Sequence, residues 1–119
     1  MKHSAKKRKF PTGAVRDSRD GKGRYDLISP YALRRLARRL EDGANRYSDR
    51  NWEKGMYVGA FIDSLTRHLI QYQMGMTDED HLGAIMFNAM GLVHTQEMID
   101  CGRLPKELDD RPVSRKKKR

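Results

Sequence analysis

The residues best suited to chemistry lie in a few short stretches of this 119-residue chain. Asp78, Glu79, Asp80 and His81 stand side by side. Carboxylates and imidazoles hold divalent cations, and such a cation bridges phosphate oxygens when a nucleotide is hydrolysed. Acids here would also suit the positive end of a helix, at about 0.3–1 kcal/mol each. Asn88 lies seven residues beyond His81 and therefore on the same helical face. Two such groups on an apolar helix need partners if they are buried, so they could line a polar pocket.

Arg67 and His68 form a second stretch, with Asp63 one turn earlier. The guanidinium fork matches phosphate oxygens, which makes Arg67 a candidate phosphate clamp; an i,i+4 pair with Asp63 is its plainer use. His68 stands beside an apolar stripe, where a core position is as reasonable as a phosphate contact. Tyr47 and Trp52 occupy a polar run in which helix packing requires no aromatic, so their rings could stack on a base or cap a core. Lys22 and Arg24 lie in GKGRYDL. Its glycines let backbone N–H groups approach phosphates, yet it lacks the strand–turn–helix setting of a phosphate-binding loop, and a linker is the alternative. A Ser/His/Asp constellation, a CxxC pair and an HExxH run are all missing, so nucleophilic catalysis and a zinc site of those kinds are not expected.

Three helices must position these groups. Ser29 and Pro30 are well placed as N-cap and first helical residue, and Leu33, Leu36, Ala37, Leu40 and Ala44 follow at helical spacing. Arg34, Arg35, Arg38 and Arg39 fill the other faces and read as a solvated surface. A polar loop from Asn45 to Gly55 leads to a second helix over about Met56–Met74, carrying Val58, Phe61, Ile62, Leu65, Leu69 and Tyr72. A third begins at Thr77, whose spacing to Asp80 resembles a capping box. It runs through Leu82, Ile85, Met86, Ala89, Leu92 and Val93 toward Ile99, and closes at Gly102. As the most apolar helix, it is expected at the centre. No alternating pattern is long enough to require a sheet. The fold class predicted is all-α, a small bundle of about three main helices with flexible basic N- and C-terminal tails. Residues 1–19 are read as a basic arm, 20–104 as the helical domain and 105–119 as an acidic-then-basic tail.

The net charge of +9 is concentrated at the ends. Residues 1–10 and 111–119 hold eleven of the 25 basic residues and no acid, which leaves fourteen against sixteen acids in the middle. A ligand of the domain must then be recognised by a local pocket rather than by a charged face. The tails could make weak, salt-sensitive contacts with nucleic acid, or simply aid solubility. With one cysteine, Cys101, no intramolecular disulfide can form. No stretch is apolar enough to span a membrane, so a soluble, cytoplasmic protein is expected. Charged residues at 34% and aromatics at 8% suggest a core completed by self-association, hence a homo-oligomer.

The runs GKGRYDLISPYALRRLARRLEDGANRYSDRNWEKG, DSLTRHL and GMTDEDHLGAIMFNAMGL resemble the N-terminal domain family of phage dATP/dGTP diphosphohydrolases. The resemblance covers roughly residues 20–98, most specifically at Gly43-Ala44 with Tyr47, Asn51-Trp52, Arg67-His68, and Asp78 through Leu82 followed by Asn88. It implies release of pyrophosphate from purine deoxynucleoside triphosphates with Mg²⁺ or Mn²⁺, in the cytoplasm of an infected host if the gene is phage-borne. On this reading Asp78, Glu79, Asp80 and His81 are metal ligands and catalytic groups. Tyr47, Asn51, Trp52, Arg67, His68, Asn88, Lys22 and Arg24 contact the nucleotide. Several members of the family carry a second His three residues after the one matching His81, where this chain has Ala84. The ExxE and ExxD motifs of the related MazG-like pyrophosphohydrolases are also missing, with Glu41 and Asp42 and the acids at 78–80 as the nearest substitutes. A non-catalytic protein that sequesters a nucleotide or a nucleotide-derived signal is therefore the alternative.

Overall fold

The computed structural model describes residues 6–113, in two compact units that divide after Pro30. Lys2 and the basic run Arg115–Arg119, counted above among the tail charges, lie outside the described residues.

In the N-terminal unit, β1 (Lys7–Lys9) and β2 (Val15–Asp17) pair antiparallel, with Lys7 opposite Asp17, Arg8 opposite Arg16 and Lys9 opposite Val15. The sequence reading had no place for this hairpin. Three-residue strands are too short to show a period, and the turn rests on Gly13, whose φ of 92° is costly for any residue with a Cβ. A 3-10 turn at Tyr25–Leu27 follows.

The larger unit holds α1 (Pro30–Arg46), a 3-10 turn at Asn51–Lys54, α2 (Val58–Gln73), α3 (His81–Asp100) and a last 3-10 turn at Lys106–Leu108. α1 starts at Pro30 as expected and continues through Gly43 to Arg46. The short connection over residues 74–80 makes α2 and α3 antiparallel neighbours. Their pairing is visible where Phe61 lies over Gly91, Ser64 meets Asn88 and His68 meets His81.

α3 starts later than the sequence suggested. Its N-cap is Asp80, whose carboxylate accepts the Gly83 N–H at 3.1 Å, rather than Thr77. Asp is the stronger capping residue, and it leaves 78 and 79 outside the helix. The buried face also differs from the expected one. It runs His81, Ala84, Asn88, Gly91, Thr95 and Ile99, while Ala89 and Val93 are exposed and Leu82, Ile85, Met86 and Leu92 half-buried. Apolar residues surround α3 nearly all the way round, so their spacing selects no face. Small side chains decide it instead, because they let α2 approach closely.

Residues 105–110, the start of the stretch expected as a tail, pack against the helical domain together with Leu104. Leu104 and Leu108 crowd Gly55, coming within 3.2 Å of where its Cβ would lie, and Asp110 accepts the Gly59 N–H at 2.8 Å. That carboxylate caps α2, whose own N-cap residue Tyr57 has no side-chain cap. Among the described residues the buried apolar ones are few: Val58, Phe61, Ala84 and Ile99. Among the described residues no helix is long and apolar enough to cross a membrane.

Candidate active site

Two features share the seam between α2 and α3. The first is a cluster at the turn joining them. His68, on α2, and His81, the first residue of α3, are each 2% exposed and face one another with their Nδ1 atoms 2.9 Å apart. The outer nitrogen of His81, Nε2, lies 2.8 Å from Asp78 Oδ1. A carboxylate accepts here, so Nε2 carries the proton and His81 Nδ1 is left as an acceptor for the His68 Nδ1–H. Burial pushes His68 below its ordinary pKa, which keeps the ring neutral and fits this arrangement.

The neighbouring acids are held by arginines of α1. Arg39 Nη1 donates to Glu79 Oε1 at 3.0 Å, and Arg35 forks onto both oxygens of Asp80. The hydrogen bond from His81 holds Asp78 below the usual carboxylate range; Arg39 does the same for Glu79, and Arg35 for Asp80. All three are anionic at neutral pH. Two of the four arginines expected to be a solvated face thus tie α1 to the acidic turn. Their i,i+4 spacing opposite consecutive acids was the available signal, but nothing local says which acids a cation will meet.

The second feature is a cavity of about 800 Å³, within the ~300–1,000 Å³ of small-molecule sites. Tyr47, Asn51 and Trp52 line it, Arg39, Arg46 and Arg50 bring cations, the last two paired with the lining acids Asp42 and Glu53, and Ser64, Phe87 and Asn88 belong to the α2–α3 seam. Trp52 packs edge-on against Phe87 and His94, with ring centroids 6.2 and 4.8 Å away, so it both covers α3 and walls the cavity. Asn88 Nδ2 donates to Ser64 Oγ at 3.2 Å and to the Ala84 carbonyl at 2.8 Å. Those bonds leave its side-chain oxygen free of the seam's donors.

Cavity and cluster are close along the seam. Ser64 precedes His68 by one turn, about 6 Å of rise, and Asn88 follows His81 by two. Arg39 belongs to both, since it lines the cavity and holds Glu79. The fold therefore brings Tyr47, Asn51, Trp52 and Asn88 around one cavity, and His68, Asp78, Glu79 and His81 around one turn. Asp80 is engaged as a helix cap. Arg67 is exposed, 3.5 Å from Ser64 Oγ at the cavity's edge. Lys22 and Arg24 belong to the N-terminal unit, where Lys22 lines a shallow concavity and Arg24 forks onto Asp26 at 2.9 and 2.8 Å. Arg39 and Ser64 were not singled out in the sequence.

The family model for the N-terminal region of dATP/dGTP diphosphohydrolases matches residues 12–109. The chain belongs to that family. The match begins within the hairpin and ends at Asp109, so it takes in the packed segment after α3 as well as the three helices. Comparison with curated proteins and with solved structures finds no significant match.

Proposed function

We propose that this family domain binds a purine deoxynucleoside triphosphate in the cavity and releases pyrophosphate from it with the aid of a divalent cation. The observation carrying this reading is that an aromatic-walled cavity and a cluster of cation-binding side chains lie on one seam and share Arg39. Trp52 and Tyr47 suit a purine ring, and Asn51 and Asn88 suit its polar edge or the sugar. Arg39, Arg46 and Arg50 suit the phosphates, with Arg67 at the rim. The cation would supply positive charge where the phosphates meet the turn, and Glu79 and His81, joined by His68, are the residues whose chemistry fits it. Incubating the full chain with dGTP or dATP and Mn²⁺ or Mg²⁺ tests the activity. Pyrophosphate is expected, and its absence at high protein concentration overturns hydrolysis.

One observation favours the sequestering alternative. Ala84 is fully buried in α3, where a second histidine would have no space without displacing its neighbours. Calorimetry separates the two readings, since a sequestering protein returns its nucleotide intact.

For partners, we infer self-association and an anion contact in the N-terminal unit. Ile62, Leu69, Ile70 and Val93 are between 38 and 66% exposed, which favours a second copy; sedimentation measures it. In the hairpin Arg8 stands opposite Arg16, a pair of like charges that a phosphate of nucleic acid would relieve. Binding to DNA or RNA that falls steeply with salt supports this contact, and salt-independent binding refutes it.

A further inference from the structure

The facing histidines have a chemistry of their own. Two imidazole nitrogens 2.9 Å apart must share one proton between them, or else share something that replaces it. Neighbouring donors on a six-coordinate cation with ligand distances of about 2.1 Å are separated by about 3.0 Å, so the spacing suits a cation; the rings, with centroids 5.2 Å apart, now meet head-on, and each must turn to bring its lone pair onto the ion. His68, Glu79 and His81 each offer one ligand atom, all within 4.8 Å of one another. Both histidines are buried, whereas the Glu79 side chain is 38% exposed, which leaves an entry path on that side.

The surroundings are those of a supported metal ligand set. Asp78 accepts the outer N–H of His81, fixing the tautomer that aims the Nδ1 lone pair inward, as a carboxylate does behind a metal-bound histidine. Arg39 holds one Glu79 oxygen, and the carboxylate has a second to give.

We propose that His68 Nδ1, His81 Nδ1 and Glu79 seat one divalent transition-metal ion, with Asp78 as the positioning residue behind His81, and that this seat prefers Mn²⁺ or its transition-metal neighbours to Mg²⁺. Two imidazoles among three donors set the preference, because Mg²⁺ takes oxygen ligands and imidazole suits the transition metals. The ligand set differs from the acidic run read in the sequence: His68 enters, Asp78 moves behind a ligand, and Asp80 drops out because it caps α3. The seat takes its purpose from the nucleotide reading above, while its existence rests on the geometry alone.

The full chain is titrated with Co²⁺ without nucleotide, and the visible bands of nitrogen-bound cobalt are followed. One cobalt per chain is expected, displaced by excess Mn²⁺, which such donors hold less tightly than Co²⁺, but not by an equal concentration of Mg²⁺. Asp78→Asn should weaken binding roughly 10–100-fold and alter the bands, as loss of a supporting carboxylate does. His68→Gln should abolish it, and Glu79→Gln, at an exposed position, provides the same test with the fold intact by circular dichroism. Absence of cobalt bands in the folded wild-type chain overturns the proposal. So does displacement by Mg²⁺ at equal concentration, or unchanged binding in folded Glu79→Gln. Cobalt bound without pyrophosphate release would count against hydrolysis and leave the seat standing.

Discussion

The two ends of the α2–α3 seam are built on opposite principles. At the end away from the connecting turn, Phe61 lies over Gly91, and a methyl group added at that glycine would overlap the ring. At the turn, His68 and His81 meet through hydrogen bonds, with Asp78 behind them. One end is limited by volume and the other by partners. The first needs the smallest residue available, and the second needs two groups that are each costly to bury alone. Rigid packing at the Phe61 end thus fixes the spacing at which the polar end can hold its imidazoles.

The largest effect is expected where volume is limiting. Gly91→Leu should destabilise the domain by about 3 kcal/mol, read as a lowered midpoint in urea unfolding. At the polar end the singles His68→Leu and His81→Leu should each cost about 1–3 kcal/mol, because each strands the other ring. The double variant should cost less than their sum, with a coupling of roughly 0.5–3 kcal/mol. Simple additivity would mean the rings do not depend on each other. Asp110→Ala, which uncaps α2 from across the chain, should cost about 1 kcal/mol in the same measurement. Smallest is a gain: Gly43→Ala, inside α1 with no atom near its missing Cβ, should stabilise the domain by about 0.5–1 kcal/mol.

The three helices were legible because each has a start or stop set by local chemistry: Ser29-Pro30 before α1, Gly75 after α2, Gly102 after α3. The seven-residue spacing of His81 and Asn88 placed both on one face, and both are buried on it. The partners of that face were not legible. His68 and Ser64 come from another helix, and an apolar residue count cannot show that Ala84 and Gly91, rather than Ile85 and Leu92, face α2. Asp110 as the cap of α2 was hidden for the same reason, since 51 residues separate it from Gly59. The hairpin escaped because its strands are shorter than the period that would reveal them. In the candidate site, the residue types were readable, while their division between buried ring pair, supporting carboxylate and helix cap depended on where α3 begins.

Trp52 is the chain's only tryptophan and walls the cavity, so its fluorescence reports directly on whether a purine nucleotide enters there. Titration of the full chain with dGTP or dATP in the presence of Mn²⁺ should change Trp52 emission saturably, in step with binding measured by calorimetry. Calorimetric binding with flat emission would place the nucleotide elsewhere and contradict the assignment of this cavity.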